Sequence, residues 1–492
     1  MKRKKICVIG GGFGGISAAI LLASKGHDVT IIDKRDKLGG RGYQYELNGF
    51  KFDGGPTVMT APYIFDDLFK AAGKNREDYF TFVPLDPFYR IFHENGDYFD
   101  FLKNHEDVIK QIEKWNPSDS KRYNRFIKNT TEIFRLLHPY TDKPFHELKN
   151  MLKILPGVIQ LGAYKGTHRY ISSYFKDDFL RKVFSFHPLL IGGNPFQTPA
   201  LFLLILQFEK QWGVHYATGG TGSVVDGLGR LFQDVGGNVM LNTEVTEILI
   251  NNKAATGVRM TDGSVIKADI VISNSDVANT YRNLIPENLR KKYSNRKIDR
   301  YQYSSSLFVI YFGTKKRYTD SPLAHHNIIM CKNYKNLLKE IFDGSSLPDD
   351  LALYLHMPTI TDSSIAPEGC ESFYVLSLVP NLKADINWDE VSEAYKNKIL
   401  QYLEDHYLPG LKENIIAEHF INPPHFSNTL NSHYGAAFSF RPNLLQSAYF
   451  RPHNRSEEFE NLYFAGAGTH PGAGVPAVMS SGKIVAELID PR

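Results

Sequence analysis

Gly10-Gly-Gly12-Phe-Gly-Gly15 separates an apolar run, Lys4 to Ile9, from an apolar-faced segment, Ile16 to Lys25. Glycines at this spacing, G-x-G-x-x-G, predict the turn between a buried parallel strand and a helix, which is the start of a Rossmann-like α/β unit. Gly10 permits the tight turn, Gly12 lets the backbone approach a pyrophosphate, and Gly15 lets helix and strand pack closely. The helix N-terminus then presents unpaired N–H groups and partial positive charge to the phosphates. A second strand, Asp28 to Ile32, ends at Asp33, whose carboxylate is placed to accept from free ribose hydroxyls. Phe13, Gly14 and Lys34 flank these groups and are counted with them as candidate cofactor contacts.

The turn alone does not separate one dinucleotide from another. Leu38-Gly-Gly40-Arg41 follows the acidic residue closely, a pattern that resembles the FAD amine-oxidase-like superfamily. Arg41 can reach back to the pyrophosphate as a charge-assisted donor. Tyr43 to Leu47 and Phe50 to Asp53 alternate as strands around Asn48-Gly49, a hairpin signal. The second of them delivers Gly54-Gly55-Pro56-Thr57, where glycines let backbone lie against a flat ring. At the far end Leu462-Tyr-Phe-Ala-Gly466 reads as a strand. Ala467 to Gly474-Val475-Pro476 then reads as a turn into a helix whose N-terminus can stabilise negative charge. The three glycine clusters together predict one bound FAD. Val245, on a strand starting near Thr243, is a candidate for backbone contact with the adenine.

The expected fold class is α/β: a Rossmann-like FAD-binding domain with an inserted, mixed α+β region for substrate and membrane association. The expected FAD-binding segments are 1–95, 215–285 and 425–492, with 96–214 and 286–424 inserted. The net charge of +4 is too small to imply nucleic-acid binding. The basic run Met1-Lys-Arg-Lys-Lys5 reads as a solvated strand start. Three scattered cysteines, Cys7, Cys331 and Cys370, suggest neither disulfides nor a metal site, and fit a reducing cytoplasmic setting. Neither a secretory signal nor a membrane-spanning run is expected. Phe145 to Tyr164 is amphipathic: Leu148, Met151, Leu152, Leu155, Val158, Ile159 and Leu161 interleave with Lys149, Lys153 and Lys165. Periodicity favours packing on the core, and a membrane interface is the alternative.

Four stretches then carry a specific resemblance. They are Phe52 to Thr60, Phe184-Ser-Phe-His-Pro-Leu-Leu-Ile-Gly-Gly-Asn-Pro-Phe196, Trp212-Gly-Val with Gly219-Gly-Thr-Gly222, and Asn461 to Pro476. They resemble the bacterial-type phytoene desaturase family over essentially the whole chain. The resemblance implies FAD, peripheral association with the cytoplasmic side of a membrane, and stepwise desaturation of a long apolar C40 polyene, commonly to lycopene. It implies hydride loss from an allylic carbon to the flavin N5, then proton loss from the neighbouring carbon. Oxygen and a membrane quinone stay open as final acceptors, as does oligomeric state. No acid/base pair stands out. His187, His215 and His470 lie in family-like motifs and are weighed as proton acceptors against packing roles, which leaves the catalytic residue unassigned. Alternatives are a C30 diapophytoene, a hydroxylated neurosporene or a terminal methyl group as substrate. More distant are an amine oxidase and a flavin-free, prenyl-binding escort protein.

Overall fold

A computed structural model describes residues 2–491, so Met1 of the basic run lies outside the described residues. The nucleotide-binding frame consists of β1 (Lys5–Ile9), α1 (Phe13–Ser24), β2 (Asp28–Ile32), β3 (Asn238–Met240), β4 (Ile270–Ser273), β5 (Leu462–Phe464) and α2 (Val475–Ile489). The strands form one sheet in the order β3-β2-β1-β4-β5, and every pair is parallel. A parallel sheet is covered on both faces, so its central strands are mostly apolar, and Ile6, Val8, Ile31 and Ile272 are all buried.

The helix after the first turn begins at Phe13, three residues earlier than its periodicity indicates. Gly14 and Gly15 therefore sit inside α1, despite their low helix propensity. The cause is steric. A Cβ on Gly15 would lie 2.4 Å from the Gly10 carbonyl oxygen, and one on Gly14 would lie 2.9 Å from the Gly466 amide. Gly482, at the middle of α2, is the reciprocal gap: its Cβ would lie 2.5 Å from the Gly14 carbonyl oxygen and 2.8 Å from Ser17 Cβ. Ser17 Oγ donates to the Met479 carbonyl at 3.1 Å. The first and last helices thus cross almost backbone to backbone.

The second large sheet has seven strands, in the order Ile415–Ile421, Ser306–Thr314, Glu371–Val379, Leu353–His356, His326–Ile329, Tyr89–Phe92 and Tyr98–Phe101. Its pairs are antiparallel except for Tyr89–Phe92 beside His326–Ile329, which is parallel. The expected boundary at residue 95 falls in the turn of the hairpin Tyr89–Phe101, whose strands belong to this sheet. Helices between His105 and Trp212 share a buried cluster with that sheet edge, including Phe99, Phe126, Phe184 and Ile328. The hairpin expected at Asn48-Gly49 is present, with both residues at positive φ, 52° and 82°. The strands read near 245–266 form a three-stranded antiparallel sheet.

Gly482→Val should wedge α1 and α2 apart. Overpacking of this kind costs ~1–3 kcal/mol. Thermal unfolding of the purified variant checks it. A melting temperature equal to that of the parent chain would mean that the helix crossing yields freely.

Candidate active site

Sixteen of the eighteen candidate contacts line one cavity of about 520 Å³; Gly14 and Gly15 do not. Those two glycines serve the packing described above. The cavity runs between the C-terminal ends of the parallel strands and the second sheet. Ligands of open α/β sheets bind at that end because helix N-termini converge there.

At the polar end, Gly12 caps α1 and no side chain accepts from the first turn, which leaves those N–H groups open to an anion. Gly474 caps α2 in the same way, at φ 103°. Asp33 is buried; Oδ2 accepts from the Gly11 amide at 2.7 Å and Oδ1 from the Arg35 amide at 2.9 Å. These bonds fix the carboxylate at the cavity wall. Lys34 Nζ donates to the Asn428 carbonyl at 2.9 Å and to Asn431 Oδ1 at 2.7 Å, so it ties two loops together. Arg41 donates through Nη2 to Ser432 Oγ, and its Nε is buried without a hydrogen-bond partner. Val245 is buried beside Thr243 and Glu244 on the same wall.

Gly54 and Gly55 line the cavity, but their lack of a side chain is required by the protein itself. A Cβ would lie 2.5 Å from the Tyr43 carbonyl oxygen at Gly54, and 2.1 Å from that of Arg41 at Gly55. Thr57 Oγ1 is 2.8 Å from Tyr354 Oη and 2.9 Å from Tyr374 Oη. At the far turn the Gly466 amide donates to Ser481 Oγ at 2.7 Å, and the Ala467 carbonyl accepts from Arg451 Nη2 at 2.6 Å.

Two contributions are not legible in the sequence. Asn274 follows β4 and sits between the two glycine turns; a Cβ on Gly12 would lie 2.7 Å from its Nδ2, and one on Gly14 2.8 Å from its Oδ1. A faint signal exists, since a buried strand ending in the polar run Asn274-Ser-Asp276 repeats the pattern that ends β2 at Asp33. Arg451 has no local signal. It is buried and donates to the carbonyls of Gln446, Ala467 and Thr469, which shapes the last glycine turn.

Most of the remaining lining is apolar. Phe186, Ile191, Leu204 and Phe208 come from the helical region, and Val309, Ile328, Leu376 and Leu378 from the second sheet. None of His187, His215 and His470 lines it. His187 Nε2 pairs with Glu209 Oε2 at 3.0 Å, and His470 Nε2 donates to the Tyr140 carbonyl at 2.9 Å. Three other histidines, unremarked in the sequence, lie behind the sheet wall. His325, His326 and His356 are buried with ring nitrogens within 4.8 Å of one another, a donor set able to take a metal ion. His356 Nε2 and His325 Nε2 share a hydrogen bond of 3.0 Å instead.

A family model for flavin containing amine oxidoreductases matches residues 13–490. The phytoene desaturase (lycopene-forming) of Pseudescherichia vulneris is 42% identical over 488 residues, covering 99% of each chain. The 4,4'-diapophytoene desaturase (4,4'-diaponeurosporene-forming) of Staphylococcus haemolyticus is 34% identical over 495 residues, covering 98% of each. A solved structure of wild-type putrescine oxidase bound to putrescine superposes with a TM-score of 0.67 at 15% identity, covering 100% of both chains. At that identity the likeness concerns the fold alone.

Burial pushes the pKa of His470 down to about 4 and that of His325 to about 3. An unfolded imidazole takes up its proton near pH 6.5. Between those values the unfolded chain binds more protons, so stability falls as pH drops through this window. At about pH 5 each of the two costs ~2 kcal/mol relative to neutral pH. Urea midpoints measured at both pH values should differ accordingly, and equal midpoints would place these imidazoles in contact with water.

Proposed function

The chain belongs to the family of flavin containing amine oxidoreductases and is an FAD-dependent carotenoid desaturase within it; we propose that it desaturates phytoene stepwise, with lycopene as product. One observation supports the substrate class: the nucleotide-binding end and an apolar arm belong to a single cavity. The walls of that arm offer a polyene continuous apolar contact, worth ~25 cal/mol per Å² removed from water.

The residues at the polar end fit FAD. Two uncapped helix N-termini offer donors to an anionic cofactor, and Arg41 lines the same end of the cavity. In this reading the α1 N-terminus (Gly12 with Phe13), Gly10, Gly40 and Arg41 bind the pyrophosphate. Asp33 accepts from the ribose hydroxyls, and Val245 meets the adenine beside Lys34. The loop Gly54-Gly55-Pro56-Thr57 and the turn Gly466-Ala467 with Gly474-Val475 hold the ring system. When bound, FAD supplies a two-electron acceptor able to take a hydride from a C–H bond. The protein excludes water from the reacting bond through the apolar arm and aligns the substrate along it. Oxygen or a membrane quinone is the proposed final electron acceptor.

We assign the membrane-facing surface to the helix Leu148–Gln160. Its inner face buries Ile154 and Val158 in the core. Leu148, Leu152, Leu155 and Ile159 are 52%, 61%, 43% and 58% exposed on the other face, flanked by Lys149 and Lys153. Their spacing puts them in one ridge. The segment Ala448–Phe450 packs against this helix and adds exposed Phe450, with Leu445 nearby in sequence and 75% exposed. The Ile154–Val158 face meets the core-packing reading, and the exposed ridge supports the membrane reading. No helix among the described residues is long and apolar enough to cross a membrane, so an interfacial ridge is the means of association that fits.

Expression in a phytoene-accumulating host tests the function. Extracted pigment should show a three-peaked visible spectrum at the position expected of lycopene. Phytoene left unchanged by flavin-loaded protein, with conversion of a C30 diapophytoene, would move the substrate to the shorter chain. Leu152→Asp combined with Ile159→Asp should release folded protein from anionic liposomes, since each leucine-sized side chain contributes ~2 kcal/mol on leaving water. Undiminished sedimentation with liposomes would place the contact elsewhere.

A further inference from the structure

Desaturation removes a hydride and a proton, and the proton must leave an apolar cavity. None of the histidines singled out in the sequence lines that cavity. Glu209 does line it, but both of its oxygens are engaged, one by Tyr89 Oη at 2.8 Å and the other by His187. Tyr374 and Tyr311 spend their hydroxyls on the carbonyls of Gly55 and Gly54.

Tyr354 differs. It sits on the strand Leu353–His356, half-buried and lining the cavity, with Oη 2.8 Å from Thr57 Oγ1 in the proposed ring-binding loop. Behind it, Oη is 2.7 Å from His326 Nδ1. His326 is buried, and its Nε2 has no hydrogen-bond partner. The hydrogen-bonded pair His325 and His356 packs directly on the His326 ring, with centroids 4.5 and 5.2 Å away and one ring nitrogen of each within 4.8 Å of one of His326. His325 Nδ1 then meets Thr361 Oγ1 at 2.7 Å, on a half-exposed residue. Groups that both donate and accept thus extend from the cavity wall through Tyr354 and His326 to the packed His325–His356 pair and Thr361.

We propose that Tyr354, backed by His326, accepts the proton that the polyene loses, and that His325 and His356 pass it on. This assignment rests on the desaturase reading above. With FAD bound as hydride acceptor, the substrate would be left as an allylic cation. The C–H electron pair on the neighbouring carbon becomes the new π bond, and the released proton goes to Tyr354 Oη. The hydroxyl proton of Tyr354 moves to His326 Nδ1, which leaves neutral tyrosine and an imidazolium. The imidazolium returns to neutral by giving its Nε2 proton to the His325–His356 pair. Burial holds His326 well below the usual histidine pKa and Tyr354 well above the usual phenol pKa, so both are neutral at rest. A weak base suffices, because a polyene cation is a far stronger acid than an imidazolium.

Two measurements test the proposal. Tyr354→Phe and His326→Gln should each slow turnover ~100-fold, the lower end of the range for a lost proton acceptor, with flavin content unchanged. In both variants, deuterium on the proton-losing carbon of phytoene should give a larger rate effect than in the parent enzyme, while deuterium on the hydride-losing carbon gives a smaller one. Turnover within threefold of the parent, or slow turnover without that exchange of isotope effects, would overturn the assignment. The second measurement needs no substrate. Nitrogen-15 NMR of labelled holoenzyme should find His326 neutral with its proton on Nε2. A proton on Nδ1 would rule it out as acceptor even if the desaturase reading stood, whereas a parent enzyme inert on every polyene would sink that reading by itself.

Discussion

The site depends on the contact between the two ends of the chain. Gly14 in α1 and Gly482 in α2 are so closely approached that a methyl group at either would collide with main-chain atoms, those of Gly466 after β5 among them. This crossing brings two uncapped helix N-termini to one cavity, and it does so with helix dipoles and backbone amides rather than with many charged side chains. The binding end can therefore be strongly attractive to a dinucleotide while the protein carries a net charge of only +4.

The second constraint is to keep polar groups neutral beside an apolar arm. Burying an unpaired charge is expensive, and a buried imidazole gives up its proton instead. His325, His326 and His356 follow that rule, all pushed down by burial. Their hydrogen bonds run to one another and to hydroxyl groups, so the wall stays uncharged against a hydrocarbon. Arg451 and Arg41 are the counter-case: guanidinium stays charged under burial, and main-chain carbonyls or a serine hydroxyl satisfy part of each fork.

Membrane association, on our reading, uses the outside of the same helical region that forms the cavity wall. The helix Leu148–Gln160 has apolar residues on both faces. Its Ile154–Val158 face completes the core, while the Leu148–Ile159 ridge is left over. Four exposed aliphatic side chains in one ridge are costly in water, and on our reading a lipid surface covers them.

The sequence by itself determined the local chemistry. The strand–glycine–helix unit at 5–24, the acidic residue ending β2, the Asn48-Gly49 hairpin and the far glycine turn are set by φ angles, period and strand length, which are properties of short stretches. The family resemblance likewise rests on contiguous motifs. Only the tertiary structure decided what those stretches serve. It assigned Gly14 and Gly15 to packing, showed that Gly54 and Gly55 are crowded by neighbouring carbonyls, and brought Asn274 and Arg451 to the turns they shape. It also moved the hairpin around residue 95 into the second sheet and set Tyr354 against His326. The physical reason is range. A turn or a cap is fixed by neighbours a few residues away, whereas Gly14 meets Gly466 only once strands from both ends of the chain have joined one sheet, and Thr57 meets Tyr354 only once the second sheet has formed beside that loop.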